Sequence, residues 1–210
     1  MSGIERIQIN SSWSPANDWR LKMSRDLTPT ADAVYRQAFS AIAMNLEEGT
    51  DIIECTKQEA RARYDWTEGI DVILHFVQSG KATLQEKFLD FSPSTLTFEE
   101  EKTDGSPGVW YYCTAQYYMV AYARRYKEYE DLDFQDWMLV DFPRLKRADA
   151  AALIPWGEMR RNARDGRRAS FRWVRFDDVP ASCIIGRRDF RAITLPPVDH
   201  PLVPRQQSLF

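Results

Sequence analysis

The chain has 210 residues, 44% of them hydrophobic, with three cysteines, two histidines and a formal net charge of -3, which is enough apolar content for one sizeable core and an appended subdomain. No apolar run reaches the roughly 18 residues of a membrane span, and "MSGIERIQIN" lacks the basic-then-apolar order of a signal peptide, so a soluble cytoplasmic protein with no membrane partner is expected. Cys55, Cys113 and Cys183 lie far apart and suggest free thiols in a reducing compartment.

"MSGIERIQINSSWSPANDWRLKMSRDL" reads as an irregular leader over residues 1–28. A helix is predicted from Thr28, with Pro29 in its first turn and Ala31, Val34, Tyr35, Ala38, Phe39 and Ile42 at helical spacing. "DIIECTKQEARARY" reads as a second helical piece. At Asp71 the apolar period changes to two: "DVILHF" and "ATLQEKF" flank Ser79-Gly80 as a hairpin. Placing Phe76 opposite Ala82 sets Asp71 opposite Lys87, with Gln85 on the same polar face; Glu86 is the one misfit on the apolar face.

"TLTFEEE" and "VWYYCTAQYYMVAYA" read as a further strand pair joined through "KTDGSPG". "DLDFQDWMLVDFPRLKRADAAAL" reads as a helix broken near Pro143, "SFRWVRF" as a strand, and residues 192–210 as an extended Pro-rich tail. The tyrosines of "YYCTAQYYMVAY" are expected mainly in the core. Residues 29–191 then form a single α/β domain whose segment 144–191 is Arg-rich.

With His75 and His200 the only histidines, a structural zinc site is not expected, and no G-x-S-x-G, G-x-G-x-x-G or G-K-[ST] motif occurs. What remains is the polar face of the hairpin. Mg²⁺ prefers hard oxygen ligands, and Asp71 with the Gln85 amide oxygen can supply two of them. Lys87, two residues on, can orient an attacking water or stabilise charge developing on a phosphodiester. The bland alternative is an ordinary cross-strand charge pair on a solvated face, worth about 0.2 to 1 kcal/mol.

The order helix, "GID", hairpin, "LQEK", strand, helix resembles the core of the PD-(D/E)xK nuclease superfamily over about residues 30 to 125. Its Q-x-K form is similar to the catalytic domains of Mrr-type restriction endonucleases. The resemblance implies a restriction-endonuclease-like α/β core, with a mixed central β-sheet flanked by helices, and a Mg²⁺- or Mn²⁺-dependent DNA nuclease or resolvase. Asp71, Gln85 and Lys87 take the three motif positions, the first two as metal ligands. No Pro precedes Asp71, and the family's helix-borne acid has three candidates, Glu54, Glu59 and Glu68; Glu86 becomes the motif acid if a bulge shifts the register. A chain that kept this fold and lost the chemistry would be a non-catalytic nucleic-acid-binding or replication-accessory protein.

Charge is unevenly distributed: 14 Lys and Arg against 24 Asp and Glu up to Phe142, but 13 against 6 from Pro143 to Arg191. Arg160, Arg161, Arg164, Arg167 and Arg168 are candidate DNA-phosphate contacts, and Arg172 and Arg175 join them on one face only if their strand is bulged. The chain ends in "QQSLF", which resembles the Q-L-[S/D]-L-F motif by which bacterial replication and repair proteins dock on the sliding clamp. Gln206, Ser208, Leu209 and Phe210 match it, and Gln207 stands where Leu is usual. The terminal Leu and Phe would be the anchors.

Overall fold

The computed structural model describes residues 2–9, 19–55, 70–78, 80–90, 94–123, 133–161 and 169–188. It is α/β, with a mixed seven-stranded central sheet, a second sheet of three strands and a few helices.

The segment read as a leader contributes to the main sheet. Ile4–Ile9 forms β1, followed by α1 (Trp19–Asp26) and α2 (Thr28–Ala41). The strand is disguised in the sequence because one of its inward positions carries Arg6, which is 4% exposed. The α2 prediction holds: Pro lies in its first turn, and Ala31, Val34, Tyr35, Ala38 and Phe39 are buried. β2 (Thr50–Cys55) pairs in parallel with β1, so the first part of the expected second helix is a strand; residues 56–64 lie outside those described.

β3 (Val72–Phe76) and β4 (Gly80–Leu89) form the expected hairpin, with Phe76 facing Gly80 and Val72 facing Leu84. Gly80 takes a φ of +85°, which a side chain would resist. The register is two residues from the expected one. A two-residue shift keeps every side chain on its face but sets Asp71 beside Gln85 rather than Lys87.

β5 (Thr95–Glu101) does not pair with the strand that follows it. "VWYY" makes one helical turn, α3 (Val109–Tyr112), and β6 (Tyr117–Ala123) crosses back to lie parallel to β4. All seven residues of β6 are buried, as a strand covered on both faces requires. β7 (Phe134–Asp141) continues the sheet where a helix was expected, and α4 (Phe142–Ala150) begins at the supposed break. Pro143 stands in its first turn, where its missing N–H costs nothing, and Asp141 caps it by accepting from the Arg144 backbone N–H at 2.8 Å.

β8 (Arg160–Arg161) and β9 (Ser170–Arg175) complete the small sheet in the order β5-β9-β8, and β10 (Ile184–Arg187) lies at the edge of the main sheet beside β7. The main order is β10-β7-β6-β4-β3-β1-β2. On one face α2 covers Ile4, Leu74, Leu84 and Met119; on the other, the small sheet, α3 and α4 enclose Phe98, Trp110, Tyr118, Phe142 and Val174. Burying each such large side chain contributes about 1.5–3 kcal/mol. Tyr117, Tyr118 and Tyr122 are core as expected, Tyr111 is exposed, and Cys113 and Cys183 are buried. Among the described residues no helix is long and apolar enough to cross a membrane.

Candidate functional site

Asp71 stands just before β3, held between strands on both sides. Its N–H donates to the Leu84 carbonyl at 3.0 Å, and its carbonyl accepts from the Ile7 N–H at 3.0 Å. Ile70, buried beside it, anchors the approach. The carboxylate is then confined: Asp71 Oδ2 accepts from Gln85 Nε2 and from the Glu86 backbone N–H at 2.9 Å. Gln85 Nε2 also reaches the Glu86 carbonyl at 3.1 Å. Tyr118 pairs with Gln85 across the parallel ladder; burial, and secondarily the charges around it, Asp71 included, push its phenol well above the ordinary range. A half-buried carboxylate thus lies against the amide, with Tyr118 the neighbouring residue on the parallel strand.

Lys87 lies one step further along the same face, partly buried, with Nζ 5.3 Å from the centre of the Phe171 ring. Burial pushes its ammonium down to about 8, and the Glu99 carboxylate works against that fall. Glu99 is itself pushed up by desolvation and pulled back by Lys87 and Lys102. Glu99 faces Phe171 across β5–β9, so the small sheet brings a carboxylate to the lysine. The structure therefore joins Asp71 to Gln85 and turns Lys87 toward Glu99.

Beneath the site, Glu86 points to the opposite face. The ladder from Leu84 to Leu89 is unshifted, which removes the bulged alternative in which Glu86 becomes the motif acid. Its carboxylate instead accepts from Arg6 Nη1 and from the Tyr35 hydroxyl, both at 2.7 Å. Arg6 also donates to Asp32 from Nε at 2.8 Å and from Nη2 at 2.5 Å, and Thr50 Oγ1 reaches Asp32 at 2.8 Å. Burial alone would lower the Arg6 pKa, but Glu86, Tyr35 and Asp32 together hold the guanidinium above its ordinary range. The misfit on the apolar face is the closing member of this buried network. That misfit was the sequence signal for it; nothing in the local sequence pointed to Glu99 or to Arg6.

Among the described residues no three His, Cys, Asp or Glu side chains gather as metal ligands. The oxygen donors at hand are Asp71 and the amide of Gln85. Amide oxygen and nitrogen exchange places on a half-turn of the side-chain amide. That turn would set Oε1 against Asp71 Oδ2, and two facing oxygens repel unless a cation, a proton or a water lies between them. A hard divalent ion held there would have these two oxygens as its protein ligands and would keep several waters.

Of the helix-borne acid candidates, Glu54 belongs to β2 and pairs with Gln8, one position out of the row that runs through Ile53, Ile7 and Asp71; Glu59 and Glu68 lie outside the described residues. Arg160 and Arg161 are exposed on β8, and Arg164, Arg167 and Arg168 lie outside the described residues, as do Gln206, Ser208, Leu209 and Phe210. The β9 register is unbroken from Phe171 to Arg175, so Arg172 and Arg175 are on opposite faces. Arg172 turns inward between Trp110 and Trp156, its guanidinium carbon 4.6 and 4.9 Å from their rings, and pairs with Glu100 and with Asp149. It is a packing group rather than a phosphate contact. Comparison with known proteins found no family model, no curated protein and no solved structure that matches this chain.

Proposed function

We propose that the chain is a Mg²⁺- or Mn²⁺-dependent DNA nuclease or resolvase built on a restriction-endonuclease-like core. One observation carries this reading: Asp71 and Gln85 meet on a sheet face where the next residue of the same side, Lys87, is a desolvated amine. Asp71 and the Gln85 amide oxygen would hold the cation, which when bound supplies an acidified water and neutralises phosphate charge. A lysine near 8 is about one-tenth neutral at pH 7, and that fraction can accept a proton from the attacking water. The water oxygen forms the new bond to phosphorus, the bond to the leaving oxygen breaks, Lys87 takes the proton, and solvent protonates the departing alkoxide. The Glu99 carboxylate then faces the ammonium so formed.

The test is cleavage of labelled duplex, single-stranded and branched DNA with Mg²⁺ or Mn²⁺. Activity should vanish in both Asp71→Ala and Lys87→Ala, and should rise about tenfold per pH unit up to about pH 8 and then level. Cleavage that survives both substitutions ends the assignment.

A second reading rests on the amide itself. The Gln85 NH₂ already donates to Asp71, so the carboxylate is hydrogen-bonded without any cation, an arrangement suited to a nucleic-acid-binding protein that has lost turnover. It predicts salt-sensitive DNA binding with no metal-dependent cleavage, and Gln85→Glu gaining cleavage would favour it. Either protein could be tethered to a sliding clamp through Gln206, Ser208, Leu209 and Phe210.

A further inference from the structure

The small sheet has an outward face distinct from its core face. Leu96, Phe98 and Val174 turn into the core; Thr97, Glu99, Phe171, Trp173 and Arg175 alternate to the other side, and Arg160 joins them because it pairs with Phe171. Lys87 reaches this face from the main sheet, over Phe171.

Arg160 is held on that face by a stack. Its guanidinium carbon sits 4.5 Å above the Trp173 ring. Trp173 in turn donates from Nε1 to the Glu158 carbonyl at 2.9 Å, and its backbone carbonyl accepts from the Gly157 N–H at 2.9 Å. The indole lies so close to Gly157 that an added Cβ would stand 2.1 Å from a ring atom, so only glycine lets it settle there. Arg160 is exposed, yet its planar fork is ordered from below. Among the described residues neither Arg160 nor Arg175 has a carboxylate partner, whereas Arg6, Arg144, Arg172, Arg187 and Arg188 all do.

A guanidinium stacked on an indole keeps its edge N–H groups free for phosphate and its outer plane free for a base. Cationic forks beside aromatic rings suit a strand whose bases are unpaired. We propose that the outer face of β5–β9–β8, centred on the Arg160–Trp173 stack and including Arg175, binds single-stranded nucleic acid and leads it to Lys87. Glu99 lies on the β5 side of this face, so the strand approaches from the β8 side. The surface itself does not depend on chemistry at Asp71; only its role in presenting substrate rests on the nuclease reading.

The experiment uses the full-length chain in EDTA with fluorescein-labelled twelve-residue oligothymidylate and a duplex of the same length, read by fluorescence anisotropy at two salt concentrations. Wild type should bind the oligothymidylate more tightly than the duplex and lose affinity with salt. Arg160→Gln should weaken binding by about 5-fold and Arg160→Gln/Arg175→Gln by more, while Arg187→Gln, which removes a paired arginine elsewhere, should change it less than about 2-fold. No binding by wild type, tighter binding of duplex, or equal affinity in Arg160→Gln would overturn the proposal. Parallel cleavage assays with Asp71→Asn separate the two readings. If cleavage needs Asp71 but Arg160→Gln binds as wild type, this surface alone is wrong. If nothing is cleaved but the arginine effects hold, the surface stands and the nuclease reading falls.

Discussion

Lys87 shows how a single buried charge reports on its surroundings. Its folded pKa of about 8 lies below the ordinary lysine value of 10.5, so between these limits the unfolded chain holds a proton that the folded one has released. Stability must then rise with pH across that window, and below about pH 8 the full cost of burying the ammonium is present. Lys87→Met should therefore be more stable than wild type at pH 7, by about 1 to 3 kcal/mol, with the gain shrinking toward pH 10. Urea denaturation at the two pH values checks this; a variant less stable than wild type at pH 7 would mean that the amine is not desolvated. At the neighbouring position, Gln85→Glu places two carboxylates side by side. It should lower stability by about 1 kcal/mol without divalent ion and raise Mn²⁺ affinity by about tenfold or more, measured by calorimetry. Unchanged Mn²⁺ binding would argue against a cation at Asp71.

Between elements, the Arg6, Asp32, Glu86 and Tyr35 network ties β1 and β4 to α2 directly under the site. Buried pairs of this kind are costly to half-remove, because the partner left behind keeps its charge without compensation. Arg6→Met should destabilise by about 3 to 5 kcal/mol in chemical denaturation, while Arg6→Met/Asp32→Leu/Glu86→Leu should recover most of that loss. If the triple variant is no better than the single one, the cost lies in packing rather than in stranded charge. Because the Glu86 N–H also caps Asp71, a loosened β4 would move the carboxylate as well as weaken the fold.

For the molecule as a whole, the tail prediction concerns cellular role rather than chemistry. Leu209 and Phe210 would fill a pocket on a sliding clamp, and tethering would raise the local concentration of the protein on DNA. A calorimetric titration against a bacterial clamp should show binding that is lost when residues 206 to 210 are deleted; no affinity in the intact chain would remove the idea. Short-range periodicity in the sequence by itself determined the α2 boundary at Thr28, the β3–β4 hairpin, the extents of β5 and β9, and the shared face of Asp71, Gln85 and Lys87. Those features depend on neighbours within a few residues, and a two-residue register slip leaves the face unchanged. Only the tertiary structure decided the rest. β1 was hidden because Arg6 reads as solvent-facing until Asp32 and Glu86, 26 and 80 residues away, neutralise it. β7 was read as helix because a strand buried within a wide sheet loses the alternation that marks an exposed one. Glu99 reached Lys87 only because β5 left the main sheet to pair with β9, across more than 70 residues of chain, and no local pattern records a contact of that range.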